Sequence, residues 1–66
     1  MQVKVNGTTC DVPEGATVRG LLEHLALATG PVAVEINRAI IPRAQHETHQ
    51  VKPGDAIEIV QFVGGG

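Results

Sequence analysis

Apolar and polar residues alternate from the first position. Met1, Val3 and Val5 are separated by Gln2 and Lys4, and Asn6-Gly7 follows. A period of two running into Asn-Gly predicts a β-hairpin closed by a two-residue type I′ turn. That turn sets the register: Val5 faces Thr8, Lys4 faces Thr9, Val3 faces Cys10, Gln2 faces Asp11 and Met1 faces Val12. One face of the hairpin is then apolar and the other polar. A slip of one residue would reverse them, so turn chemistry and hydrophobic phase specify the same pairing.

Pro13-Glu14-Gly15 breaks the hairpin pattern. Thr17 is placed to cap a helix, and Val18, Leu21, Leu22 and Leu25 recur at helical spacing. The spacing predicts a helix over Val18 to Ala28, stopped by Gly30-Pro31, with Gly20 where a capping box would carry Glu. Leu27 lies half a turn from the apolar face and is expected to be exposed. Val32, Val34 and Ile36 alternate again, giving a third strand. Asn37-Arg38 then turns into Ala39-Ile40-Ile41, which Pro42 confines to a sheet edge. Arg43 to Gln50 is polar and aperiodic, a loop with at most one helical turn, and Lys52-Pro53-Gly54-Asp55 is a turn. Ala56 to Val63, rich in β-branched residues, predicts a last strand suited to the centre of a sheet. The order of elements predicts an α+β fold in which one main helix covers one face of a mixed sheet.

Sixty-six residues, 42% of them apolar, allow one small domain near the lower size limit for a core without staples. Phe62 is the only aromatic residue, so the core is aliphatic. A net charge of -2, without a basic stripe or stacking platform, argues against nucleic-acid binding. One cysteine forms no internal disulfide, the first residues begin a strand pattern in place of a secretory signal, and no apolar run reaches membrane-spanning length. A cytoplasmic protein that neither enters nor crosses a membrane is expected.

The residues that carry reactive chemistry elsewhere read mostly as structure here. Cys10 falls on the apolar face of the hairpin, where a thiol behaves as a small hydrophobe. His46 and His49 flank Glu47 at a spacing other than HExxH, and the remaining candidates, His24 and Cys10, lie far off in sequence; a solvated polar loop is expected there, with no metal site. The glutamates show no pairing that would support acid-base catalysis, and no catalytic residue is assigned. In the last strand Ile57, Ile59 and Val63 share one parity, and Ala56, Glu58, Val60 and Phe62 share the other. If the first set is core, Val60 and Phe62 form an apolar patch on the open sheet face that suits a partner; a bulge would instead turn Phe62 inward.

Gly64-Gly65-Gly66 follows that strand directly, so the terminal carboxylate sits on an arm without side chains. Three extended glycines reach roughly 10 Å, enough to enter a narrow tunnel. A carboxylate is a poor electrophile and needs a leaving group, such as an acyl-adenylate made from ATP. The chain has neither a GxxxxGK[ST] loop nor GxGxxG, so that activation falls to a partner. The plain alternative is a frayed glycine-rich end.

Val5-Asn6-Gly7, Glu35-Ile36-Asn37 through Ile41-Pro42-Arg43, Gly54-Asp55 and Phe62-Val63-Gly64-Gly65-Gly66 together resemble the ThiS family of thiamine sulfur carriers over nearly the whole chain. The resemblance implies a ubiquitin-like β-grasp domain over residues 1–63 and a flexible tail over 64–66. It implies that a ThiF-like adenylyltransferase uses ATP to activate Gly66, and that sulfur supplied through a cysteine desulfurase converts it to a thiocarboxylate. A ThiG-like thiazole synthase would then take the sulfur, with Gly65 and Gly66 in its active site. The carrier itself would be a cosubstrate, not an enzyme, and would bind no cofactor. Gly64 lengthens the slender segment beyond the family's minimal diglycine, and His46 departs from the large aromatic often found shortly after the equivalent of Pro42-Arg43. The molybdopterin-type carrier MoaD, a ubiquitin-like protein modifier whose activated Gly66 meets a substrate lysine, and a plain binding module are the alternative readings.

Overall fold

The first hairpin forms in the register its turn dictates. In the computed structural model, which describes residues 1–28 and 30–62, β1 (Gln2–Val5) pairs antiparallel with β2 (Thr8–Asp11). All four expected partners within the strands are met, and Val12 donates its N–H to the Met1 carbonyl at 2.8 Å. Asn6 and Gly7 take φ of 50° and 83°, the left-handed values that a type I′ turn demands.

The helix α1 (Val18–His24) buries Val18, Leu21 and Leu22. β3 (Val32–Ile36), the edge strand β4 (Ala39–Ile41), a short 3₁₀ turn at Arg43–Gln45 and β5 (Ala56–Gln61) complete the order. The five strands run β2-β1-β5-β3-β4, with β1 and β5 parallel and the other pairs antiparallel. The last strand is thus central and Ala39–Ile41 lies at the edge, as their compositions predict. Val3, Val5, Val34, Ile36, Ile57 and Ile59 are buried in one core with the helix residues and with Val12, Ile41 and Val51.

The helix ends earlier than its sequence predicts. Ala26 N–H bonds to the Glu23 carbonyl at 3.0 Å and Leu27 N–H to that of Leu22 at 2.7 Å, the paired bonds of a Schellman motif. Its left-handed position is occupied by Ala26 at φ 60°, not by glycine, so Gly30-Pro31 is the more visible stop signal in the sequence although the helix has already ended. The reversal also corrects the expectation for Leu27, which is half-buried against the core.

At the helix start, Thr17 Oγ1 accepts from Gly20 N–H at 3.1 Å, and the loop supplies further acceptors. The His49 carbonyl takes Val18 N–H at 2.9 Å and the His46 carbonyl takes Arg19 N–H at 2.7 Å. His46 is therefore not a solvated loop residue. The residue is 7% exposed, and its Nε2 lies 3.1 Å from the Ile41 carbonyl, to which it donates because a carbonyl only accepts. Cys10 is half-buried and free, packed against the core as its place in the hairpin predicts.

Two asparagines secure the central strand. β1 ends before β5 does, and Asn6 extends the pairing. Its backbone N–H donates to the Ile57 carbonyl at 2.8 Å, its Oδ1 accepts from Ile59 N–H at 2.8 Å, and its Nδ2 donates to the Ile59 carbonyl at 3.1 Å. On the other edge Asn37, also at φ 50°, exchanges bonds with Ala56: its N–H meets the Ala56 carbonyl at 2.8 Å, and its Oδ1 accepts Ala56 N–H at 3.0 Å. Asn37 Nδ2 then donates to the buried carboxylate of Asp55 at 3.0 Å, whose other oxygen accepts Lys52 N–H at 2.8 Å.

Replacing Asn6→Ala removes two side-chain bonds from β5 and places alanine in a left-handed position. We expect a loss of about 2 kcal/mol in urea unfolding, against a near-neutral Thr9→Ala control on an exposed strand position. Ala26→Gly relieves the left-handed strain of the helix cap. It should raise stability by about 0.5–1 kcal/mol in the same assay, since the relief exceeds the added flexibility of the unfolded chain.

Candidate functional site

The geometry of β5 decides what its two faces offer. Ile57 and Ile59 point into the core, so Ala56, Glu58, Val60 and Phe62 project to the face that the helix leaves uncovered. Val60 is 53% exposed and Phe62 58% exposed, which selects the open-face position for Phe62 over an inward bulge. Regular pairing explains this: Val60 lies opposite Ala33, Gln61 opposite Val32, and Phe62 N–H still donates to the Pro31 carbonyl at 3.1 Å. No residue is inserted to change the phase.

The same face carries a residue that sequence reading did not single out. Ile40 is 76% exposed on β4, directly across from Glu35, which in turn lies across from Glu58 on β5. A row of Ile40, Glu35 and Glu58 therefore crosses three strands beside the row of Ala33 and Val60. The parity of so short an edge run was readable, but its place beside β3 and β5 needed the sheet order. Glu35 and Glu58 are like charges in directly opposed positions, an arrangement that weakens the strand pair by a few tenths of a kcal/mol or more. The result is an apolar patch around a compact acidic centre.

The remaining candidates stay apart. His24 Nε2 lies 3.2 Å from the Asp11 carbonyl, His46 is committed to Ile41 and His49 is half-buried. Among the described residues no group of three potential metal ligands converges. The cleft lined by Arg19, Arg43, His46 and Glu47, and the one lined by Asn37, His49, Lys52 and Asp55, hold no nucleophile paired with a base. No described helix is long and apolar enough to cross a membrane. Val63 and the tail residues Gly64, Gly65 and Gly66 lie outside the described residues. The described strand ends at Gln61, and the apolar patch stands immediately ahead of them in sequence.

Comparison with known proteins supplies an independent line. The model of the ThiS family matches residues 3–66. The sulfur carrier protein ThiS of Escherichia coli is 38% identical over 66 residues, covering all of both chains. Proteins named thiazole synthase from Magnetococcus marinus and Paramagnetospirillum magneticum are also 38% identical over the whole of this chain, which spans only 20% of their length. The crystal structure of the thiamine biosynthesis protein ThiS from Geobacter metallireducens superposes with a TM-score of 0.84 at 38% identity, covering both chains fully. The five-stranded mixed sheet with α1 on one face is thus the ubiquitin-like β-grasp fold. With its family model matched over nearly every residue and a full-length relative at this identity, the chain belongs to the ThiS family.

Proposed function

We propose that this protein is a sulfur carrier of thiamine biosynthesis, with the Gly66 carboxylate as the group that bears the sulfur. The observation that carries this reading is the full-length match, in sequence and in fold, to proteins named as ThiS. The chemistry proceeds in balanced steps. A ThiF-like adenylyltransferase joins the carboxylate to the AMP portion of ATP, releasing pyrophosphate. Sulfur drawn from cysteine as a desulfurase-derived persulfide then displaces AMP to give an acyl disulfide, and a thiol reductant cleaves the S–S bond, leaving the thiocarboxylate on Gly66 and a disulfide on the reductant. A ThiG-like thiazole synthase finally takes the sulfur into the thiazole ring. The carrier contributes a group to be modified and a surface to be recognised; the partners supply the catalysis. A cytoplasmic setting would supply both the ATP and the cysteine-derived sulfur.

The match to a segment of proteins named thiazole synthase supports the last partner, because those relatives join a ThiS-like stretch and a thiazole synthase in one chain. A tether of that kind raises the effective concentration of carrier at its acceptor without any new contact. For a carrier without such a tether, recognition falls to its surface. Val60 and Phe62, joined by Ile40, suit that role: they are exposed, apolar and directly ahead of Gly64, Gly65 and Gly66.

Intact-protein mass spectrometry tests the carrier chemistry. Incubation with ATP, a ThiF-like enzyme and a sulfur donor should add the mass difference between sulfur and oxygen to the intact chain and not to a chain lacking Gly66. An unchanged mass, with an enzyme competent on another carrier, would reject the reading, and isopeptide-linked adducts on lysine would favour a protein modifier. Phe62→Asp tests the patch. Because the ring is 58% exposed, unfolding should be unaltered within about 0.5 kcal/mol, whereas affinity for thiazole synthase should fall about tenfold or more in calorimetry.

A further inference from the structure

The hydrogen-bonding directions along β5 leave one lane of the sheet unfilled among the described residues. Even positions face β3: Ala56 bonds to Asn37, and Phe62 N–H donates to the Pro31 carbonyl. Odd positions face β1: the Ile57 carbonyl accepts from Asn6 N–H, and Ile59 gives both its N–H and its carbonyl to the Asn6 side chain. Gln61, two residues further, directs its N–H and carbonyl to the same side as Ile59. By then the chain has turned back at Asn6-Gly7, and β1 pairs no further than Val5 with Ile57. Gln61 is exposed, and its backbone groups meet no partner on that side among the described residues.

We propose that this lane receives an extended segment of the enzyme that takes up Gly66, paired with the Gln61 N–H and carbonyl so that the enzyme continues the ladder where Asn6 ends it. The inference rests on the sulfur-carrier reading and adds the mode of docking. Gly66 lies five residues beyond Gln61, roughly 17 Å at full extension, so an enzyme that closes on Gly66 brings its own surface within that distance of the lane. An unpaired donor and acceptor on an ordered strand form a template for strand addition, with affinity supplied by main-chain bonds. Such bonds ignore side-chain identity, which suits a carrier received in turn by an adenylating enzyme and an acceptor enzyme. Val60 and Phe62 flank the lane and supply contacts for the alternate side chains of the incoming strand. Asn6 sets the boundary: it satisfies Ile59 completely, so the open lane begins at Gln61.

Gln61→Pro removes the N–H and interrupts no hydrogen bond among the described residues, while Gln61→Ala keeps the N–H and changes only the side chain. Calorimetry with thiazole synthase should show binding weakened about tenfold by proline, the worth of one backbone bond, and unchanged by alanine, with equal urea midpoints for all three chains. Amide hydrogen exchange of the unaltered carrier gives a second reading that does not depend on how proline is tolerated. Exchange at Gln61 should slow at least tenfold in the complex. Equal affinity of Gln61→Pro and the unaltered chain, or an unprotected Gln61 amide in a complex that forms, overturns the strand pairing while leaving a thiocarboxylate-forming carrier intact. Absence of both sulfur loading and binding in the unaltered chain overturns the carrier reading and this inference together.

Discussion

A central strand needs both edges occupied, and β5 is six residues long beside a parallel neighbour of four. An unpaired backbone group in the interior of a sheet costs free energy comparable to a lost hydrogen bond. The chain resolves the mismatch with two asparagines in left-handed turns, whose short amides imitate a strand's donor and acceptor pair. Asn6 extends β1 alongside Ile59, and Asn37 closes the opposite edge at Ala56. Asparagine fits both demands, since it tolerates φ near 50° better than most side chains and presents an oxygen and an N–H together. The straight course of β5, the outward placement of Val60 and Phe62 and the sheet's open lane all depend on these two clamps.

A second constraint comes from the helix, which at seven residues is too short to persist on propensity alone. Its first amides are taken by Thr17 Oγ1 and by the carbonyls of His49 and His46, so the segment that looks like a polar loop in sequence forms the N-terminal cap of the helix. Val51 N–H returns the contact to the Ala16 carbonyl at 2.9 Å. Burial of His46 follows from this arrangement. Its carbonyl is held at the helix start, and its ring, buried there, needs the bond to Ile41 to offset the desolvation of its N–H.

What could be read from the sequence was what local patterns determine. The hairpin register was legible because Asn6-Gly7 and the alternation of Val3 and Val5 agree, and the central place of the last strand because its composition is β-branched. The parity of Ile57 and Ile59 gave the open face, while only the regular pairing through Gln61 and Pro31 decided that Phe62 stays on it. The misses share a cause: they depend on partners distant in sequence or on a residue used against its preference. Nothing local marks Ala26 as a left-handed cap, and nothing near His46 shows that Arg19 N–H will need its carbonyl. Ile40 became part of the patch only when the sheet order put β4 beside β3. The tail glycines, by contrast, lie outside the described residues, and a glycine run taken alone reads equally as a frayed end.

The buried polar groups point to a division of labour across the molecule. Among the described residues, every buried side-chain nitrogen or oxygen has a hydrogen-bond partner, and the partners are largely backbone groups at strand ends, turns and the helix start. A domain this small, with its one cysteine free, has little stability to spare for strained or unpaired groups. Its unfavourable features accordingly sit at the surface, where water softens them: the opposed carboxylates of Glu35 and Glu58, and the exposed apolar side chains of Ile40, Val60 and Phe62. None of these is required by the core, and all occupy the sheet face that the helix leaves open. Substitutions of Asn6, Asn37, Asp55 or His46 should therefore register first in stability, and substitutions on that face in recognition. The separation leaves the surface free to suit its partners while the interior holds β5 in place.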